Sequence, residues 1–198
     1  MLGLATGVSN TAYQWQPTFV GTLQIWLRNN VGVAVGQWDD SSGNANHATQ
    51  GTSGDQAELS GGGLLFKSSE EDHYDFGTQV DISSQEGFTL FFVVNRSNES
   101  ANSTLLGTNS NAHFYGFKNN NDAIDIRLGS TTTTVTPSTA NLFAKDVNFI
   151  LTLQREAGGT GNINLYKNGT LLGQDSQATN TGDGEFISLG VKSNNRWF

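Results

Sequence analysis

The sequence predicts an all-β protein, a two-sheet antiparallel β-sandwich. Three observations carry this expectation. Apolar runs of four to eight residues recur along the chain, each bounded by Gly, Asn, Ser, Thr or Asp, as in "LQIWL", "FTLFFVV", "AIDIRLG" and "NFILTL". The 3.6-residue period of an amphipathic helix is nearly absent. Asn168-Gly169 sits between two such runs and supplies the two positive-φ positions of a type I′ hairpin turn.

Composition bounds the rest. At 198 residues the chain can bury one sizeable core, and sandwiches of this length are routinely single domains. Charged residues are only 14%, and no apolar run approaches membrane-spanning length, so strands and turns are favoured and no membrane partner is expected. A net charge of −8, with the ten Lys and Arg scattered, repels phosphate backbones and argues against nucleic acid. The absence of cysteine removes disulfides, thiolate metal sites and cysteine nucleophiles together. The start, "MLGLATGVSNTAYQW", has neither a basic region nor a sustained apolar stretch, so no secretory signal is expected and synthesis falls in a cytoplasm.

Taken in order, residues 1–22 show no period and carry Gly, Asn, Thr and Pro17, which reads as an N-terminal arm; the sandwich is expected over 23–198. "LQIWL" (23–27) opens it. "GQWDDSSGNANHATQG" (36–51) reads as a corner, in which Asx side chains bond local backbone amides and Gly43 accepts positive φ. "GLLF" (63–66) and "YDFG" (74–77) follow. Glu70, Glu71, Asp72 and Asp75 form the densest carboxylate stretch in the chain, and a charge run ahead of a strand reads as a solvated face. "FTLFFVV" (88–94) is apolar at both parities, which predicts a central strand covered on both sides. In "HFYGF" (113–117) parity groups His113, Tyr115 and Phe117. In "DAIDIRLG" Ile124, Ile126 and Leu128 alternate with Ala123, Asp125 and Arg127, so one face packs and the other meets solvent or ligand. "NFILTL" (148–153), the hairpin "NINLYKNGTLLGQ" (162–174) and "FISLGV" (186–191) complete the set. Trp26, Trp38, Phe88, Leu90 and Phe92 are expected in the core.

The succession "LQIWLRNN", "VGQWDDSSGNANHATQ", "GGGLLF", "DHYDFG", "FTLFFVVN", "LLGT" and "LYKNGTLLG" resembles the concanavalin A-like lectin/glucanase superfamily, in its laminin-G-like jelly-roll branch, over about Leu23 to Phe198. "W-x-D-x-SGN-x-N-x-AT" and "Y-x-NG" are its most specific pieces. The resemblance implies a corner from Trp38 to Thr49 with the tryptophan buried, and a "D-x-Y" element that opens a strand with Tyr74 packed and the acids exposed. It also implies a closing strand of the type G-x-I-x-E-I-x-x-Y. The chain stops at "NNRWF" without one, so a sheet edge is expected to lack cover. Together with the "MLGL" start, the pattern is similar to domains of bacteriophage proteins, those of marine phages especially, in which such domains are virion components.

The functional expectation is therefore a non-enzymatic virion structural component, a capsid decoration or fibre-type protein, in contact with other virion proteins or copies of itself. The alternative is a carbohydrate-binding module recognising a host or environmental glycan. Glycoside hydrolases of the superfamily carry Glu-x-Asp-x-Glu along one strand face. In "DAIDIR" Asp122 and Asp125 are three apart and Arg127 stands where the second acid should be, so an enzyme is not expected. No Gly-x-Ser-x-Gly elbow is present either. A lectin site needs an aromatic platform with amide and carboxylate partners, because a sugar offers an apolar ring face and a rim of hydroxyls. The candidates are His113, Tyr115, Asp125 and Arg127 on two neighbouring strands. The competing reading places Tyr115 and Phe117 in the core and makes Asp125 and Arg127 an ordinary surface ion pair. No cofactor is expected. Calcium is the ion weighed, with Asp39, Asp40, Asp72 and Asp75 as candidate ligands. Asp39, Asp40, Asn44 and Asn46 supply only part of the roughly six to eight oxygens it takes. The histidines lack the i, i+4 spacing of a helical zinc site.

Overall fold

The computed structural model describes residues 16–19, 21–96, 102–108, 113–118, 123–129, 131–137, 143, 146–159, 161–176 and 182–191, with backbone alone at 114 and 131. Its strands are β1 (Val33–Ala34), β2 (Gln37–Trp38), β3 (Ala48–Thr49), β4 (Glu58–Ser60), β5 (Gly63–Leu65), β6 (Tyr74–Ile82), β7 (Phe88–Val94), β8 (Ser103–Gly107), β9 (Phe114–Phe117), β10 (Ile124–Leu128), β11 (Thr131–Val135), β12 (Phe149–Arg155), β13 (Asn162–Lys167), β14 (Thr170–Ser176) and β15 (Gly184–Leu189). They pair antiparallel into a nine-stranded sheet, order β1-β2-β3-β6-β15-β8-β9-β10-β11, a four-stranded sheet, order β14-β13-β12-β7, and the small hairpin β4-β5. The chain leaves the large sheet after β6, returns for β8 to β11, crosses again for β12 to β14, and inserts β15 between β6 and β8. This is a two-sheet antiparallel β-sandwich of the jelly-roll kind.

Alternation places the core between the sheets. Tyr74, Phe76, Val80 and Ile82 of β6 and Ile124, Ile126 and Leu128 of β10 are buried from one side, and Leu151, Leu153, Ile163 and Leu165 of β12 and β13 from the other. The burial of Ile124, Ile126 and Leu128 follows the expected parity. The Asn168-Gly169 turn is also as expected: φ is +49° and +80°, and Lys167 pairs Thr170 across a two-residue loop.

The strand at 88–94 departs from expectation. All seven residues of β7 pair with β12, and among the described residues nothing pairs with its other edge. Phe91 is 67% exposed and Val93 78%, so the sheet's outer face is uncovered here. Apolar residues at both parities signalled neither a central position nor two covers, because pairing order is set by distant segments. Phe88, Leu90 and Phe92 do face the core but are only partly buried, since an edge strand has a neighbour on one side alone. Trp38 is likewise half-buried, its Nε1 donating to the Arg28 carbonyl at 2.9 Å. Trp26 lies at the opposite parity from Ile25 and Leu27, which pack on the core; the Arg28 guanidinium sits 4.7 Å from its ring centroid. Of the expected arm, only Pro17–Phe19, a short 3-10 turn, and 21–22 fall among the described residues with Gln16; "NNRWF" lies outside them.

Candidate functional site

The corner at 36–51 is built around Asp40. Its Oδ1 accepts from the backbone N–H of Trp26 (2.8 Å) and of Ser42 (2.8 Å); its Oδ2 accepts from the Ser42 hydroxyl (2.6 Å) and the Asn46 N–H (3.1 Å). Burial alone would raise this carboxyl, but the hydrogen bonds from Ser42, Trp26 and Asn46 outweigh it and hold it below the usual carboxylate range. Asn46 continues the joint: its Oδ1 accepts from Thr78 N–H at 2.7 Å and its Nδ2 donates to Thr78 O at 2.8 Å, imitating a ladder pair. Gly43 and Ala45 take the positive φ values, +99° and +55°. Both Asp40 oxygens are thus committed to turning the chain. Asp39 accepts from Gln37 Nε2 at 2.6 Å and lies 3.4 Å from His47 Nδ1. A polar cleft of about 250 Å³ lies between residues 21–24 and Asn44, Asn46, Thr78 and Gln79. Its amides are engaged as well, Asn44 Nδ2 donating to the carbonyls of Leu23 and Gln24.

The acidic stretch separates. Asp75 is exposed and accepts from the Ser188 hydroxyl at 2.7 Å, and Lys67 pairs with Glu58 and Glu70. Asp72, expected to be exposed, is 0% exposed instead. The Lys67–Asp72 turn folds its side chain inward, so that Oδ2 accepts from Lys67 N–H at 2.7 Å while Oδ1 has no hydrogen-bond partner. Burial raises this carboxyl above the usual range; the Lys67 N–H opposes, and Glu70 and Glu58 add to the rise. Among the described residues no three His, Cys, Asp or Glu side chains converge as a metal-binding group.

The four residues proposed for a sugar do not share a face. Tyr115 pairs with inward-facing Ile126, is 0% exposed and packs its ring 5.5 Å from that of Phe92; Phe117 is buried beside Phe143 and Phe149. His113 is buried too, its Nδ1 accepting from Gly129 N–H at 3.1 Å. Asp125 and Arg127 point the other way. Asp125 accepts from the Thr134 hydroxyl (2.6 Å) and lies 3.8 Å from Lys118 Nζ; Arg127 Nε donates to Gly129 O at 3.1 Å, so the two form no ion pair with each other. Parity grouped Tyr115 with Phe117 and Asp125 with Arg127 correctly, while His113 lies outside β9; register puts Tyr115 opposite Ile126, not opposite Asp125.

A surface that the sequence reading missed has the make-up a lectin site needs. On the outer face of the four-stranded sheet, Val93 lies beside Ile150, and the next row runs Phe91, Thr152, Tyr166, Leu171. Phe91, Val93, Ile150 and Leu171 are exposed and Tyr166 is half-buried beside them, which makes an apolar half with two aromatic rings. The following row runs Thr89, Gln154, Asn164, Gln174, and the last holds Asn162 and Ser176. Here the groups are amides and hydroxyls, with Asn164 buried between Gln154 and Gln174. Tyr166 donates its hydroxyl to Gln154 Oε1 at 3.4 Å, and Gln174 Nε2 donates to Asn164 Oδ1 at 2.7 Å. The Gln154 amide N–H groups and the Gln174 carbonyl oxygen are thereby presented next to the rings. The signal was present as the odd-parity set Thr89, Phe91, Val93, but only the burial pattern of the folded sheet shows that this parity faces outward.

A comparison with solved structures agrees with this architecture. One match is to a chain described in the words "Cell entry of botulinum neurotoxin type C is dependent upon interaction with two ganglioside molecules", with a TM-score of 0.50 and 15% identity over 84% of this chain. The likeness is one of fold, an antiparallel β-sandwich. This chain spans 42% of that neurotoxin chain's length. No family model matches the sequence, and no curated protein matches it.

Proposed function

We propose that this chain is a non-enzymatic carbohydrate-binding domain whose site is the outer face of the four-stranded sheet. One observation carries the reading: Phe91 and Tyr166 stand in a row directly beside a row of Thr89, Gln154, Asn164 and Gln174. An aromatic ring covers the C–H face of a pyranose, while amide groups reach its hydroxyls. The fold similarity to a neurotoxin said to depend on ganglioside molecules supports a glycan partner by analogy of fold. A glycan array on the purified chain, with and without calcium, tests the proposal. Binding of at least one glycan class, weakened at least tenfold by Phe91→Ala with Tyr166→Ala while the far-ultraviolet circular dichroism is retained, is expected. A folded chain that binds no glycan refutes it.

The second edge of β7, which no described strand pairs, favours a second reading, assembly with copies of itself or with other proteins of a bacteriophage virion. A seven-residue strand whose second edge no described strand pairs, with Phe91 and Val93 exposed on it, has the ingredients of strand addition. Light scattering behind size exclusion distinguishes the two. An oligomer that Val93→Lys returns to monomer supports assembly, and monomers throughout the micromolar range exclude self-assembly.

A further inference from the structure

Among the described residues the proposed sugar face carries a fixed charge at its end, and the inference from it rests on the carbohydrate-binding reading. Glu156 continues the outward parity of Gln154, and its backbone N–H donates to Asn162 O at 3.0 Å, which sets it opposite Asn162. Its Oε2 accepts from Asn162 Nδ2 at 2.8 Å and its Oε1 from Asn164 Nδ2 at 3.2 Å. Asn164 in turn accepts from Gln174 Nε2 at 2.7 Å. The three amides are therefore aligned as a chain of donors ending on a carboxylate. The hydrogen bonds from Asn162 and then Asn164 hold the Glu156 carboxyl below the usual range, so it stays ionised into mild acid.

Among the described residues no cation pairs with Glu156. The adjacent Arg155 points inward, where its guanidinium donates to the carbonyls of Ser83, Glu86 and Gly182, and Lys167 lies over the Phe149 ring. From the row of Phe91 and Thr152 to Glu156 is four residues along β12, about 14 Å at ~3.4 Å per residue. An oligosaccharide stacked on the rings and laid along the amide rows reaches that carboxylate. A sugar carboxylate or sulfate arriving there meets a like charge with no counter-ion among the described residues, on a chain of net charge −8.

We infer that this face selects neutral saccharides over anionic ones, with Glu156 as the discriminating residue. The test is an array of matched oligosaccharide pairs, each neutral member printed beside its sialylated, sulfated or uronic-acid counterpart, read with the unmodified chain and with Glu156→Gln at low and high salt. The expected result is a preference for the neutral member of about three- to tenfold at low salt, narrowed by salt and by Glu156→Gln. Equal or tighter binding of the acidic members by the unmodified chain, or a preference that Glu156→Gln leaves intact, overturns this inference while the carbohydrate-binding reading stands. If the folded chain binds neither member of any pair, both fall.

Discussion

Removing the Asp40 carboxylate tests the joint that ties the first segment of the sandwich to its corner. Four donors converge on it: the N–H groups of Trp26, Ser42 and Asn46 and the Ser42 hydroxyl. In Asp40→Ala the two Ser42 donors sit at a half-exposed turn and recover water. Asn46 N–H is on a buried residue and Trp26 N–H on a half-buried one, so they lose most of what they had. At about 1.5 kcal/mol for each such bond to a charged acceptor, the expected loss is about 3 kcal/mol at pH 7. In a chain of this length that lowers Tm by about 6 to 12 °C. Asp40→Asn keeps one oxygen for Trp26 and Ser42 and sacrifices mainly the Asn46 bond, for about 1 to 2 kcal/mol. The pH dependence has a definite sign. Because the folded carboxyl lies below its unfolded value of about 3.9, the stabilisation is complete above that pH and disappears as pH falls through the folded value. Urea melts of the three proteins at pH 7, 4 and 3 are the assay. The gap between the parent chain and Asp40→Ala should be widest at pH 7 and shrink towards pH 3. A variant within about 0.5 kcal/mol of the parent at pH 7 would refute the assignment of Asp40 as the anchor of this corner.

Asp72 predicts the opposite pH behaviour. Its folded carboxyl is raised, so the stability it contributes is present at low pH and lost as pH rises through the folded value; Asp72→Asn should therefore equal or exceed the parent by up to about 1 kcal/mol at pH 8, with the difference closing towards pH 4. Chemical melts across that range check it, and a variant less stable than the parent at pH 8 counts against an ionised, half-satisfied carboxylate. At the hairpin, Gly169→Ala has open space around the new Cβ, so only its φ of +80° is penalised and a loss of about 1 to 2 kcal/mol is expected in urea melts. Gly116→Ala differs in kind: its Cβ would strike the Ser103 carbonyl oxygen and lie 2.9 Å from Thr104 Cα where β9 meets β8, and a loss of more than about 3 kcal/mol, seen as poor soluble yield or a sharply lowered Tm, is expected. Equal stability of these two glycine variants would contradict the assigned register of β8 and β9.

The reach of sequence reasoning in this chain divides along physical lines. The two-residue turn at Asn168-Gly169, the alternation of Ile124, Ile126 and Leu128, and the part of the corner in which Asp40 accepts from Ser42 and Asn46 are legible because each depends on residues within a few positions of one another. Backbone φ preference, the two-residue period of a strand and the reach of an Asx side chain are local properties. Parity also states correctly which residues share a face: Phe91 with Val93, Asp125 with Arg127, Ile124 with Ile126. It cannot state whether that face is covered. β7 lies at an edge because β12, some sixty residues away, pairs on one side of it and no described strand on the other. Tyr115 is buried and Asp125 is not because register aligns Tyr115 with Ile126. Asp72 turns inward, and Arg155 finds the carbonyls of Ser83, Glu86 and Gly182, through contacts that no local pattern encodes. The aromatic and amide rows of the candidate sugar face come from three strands, β7, β12 and β13, with Gln174 from a fourth. Side chains so far apart along the chain become a surface only when long-range pairing, with its loop-closure entropy already overcome, brings the strands together.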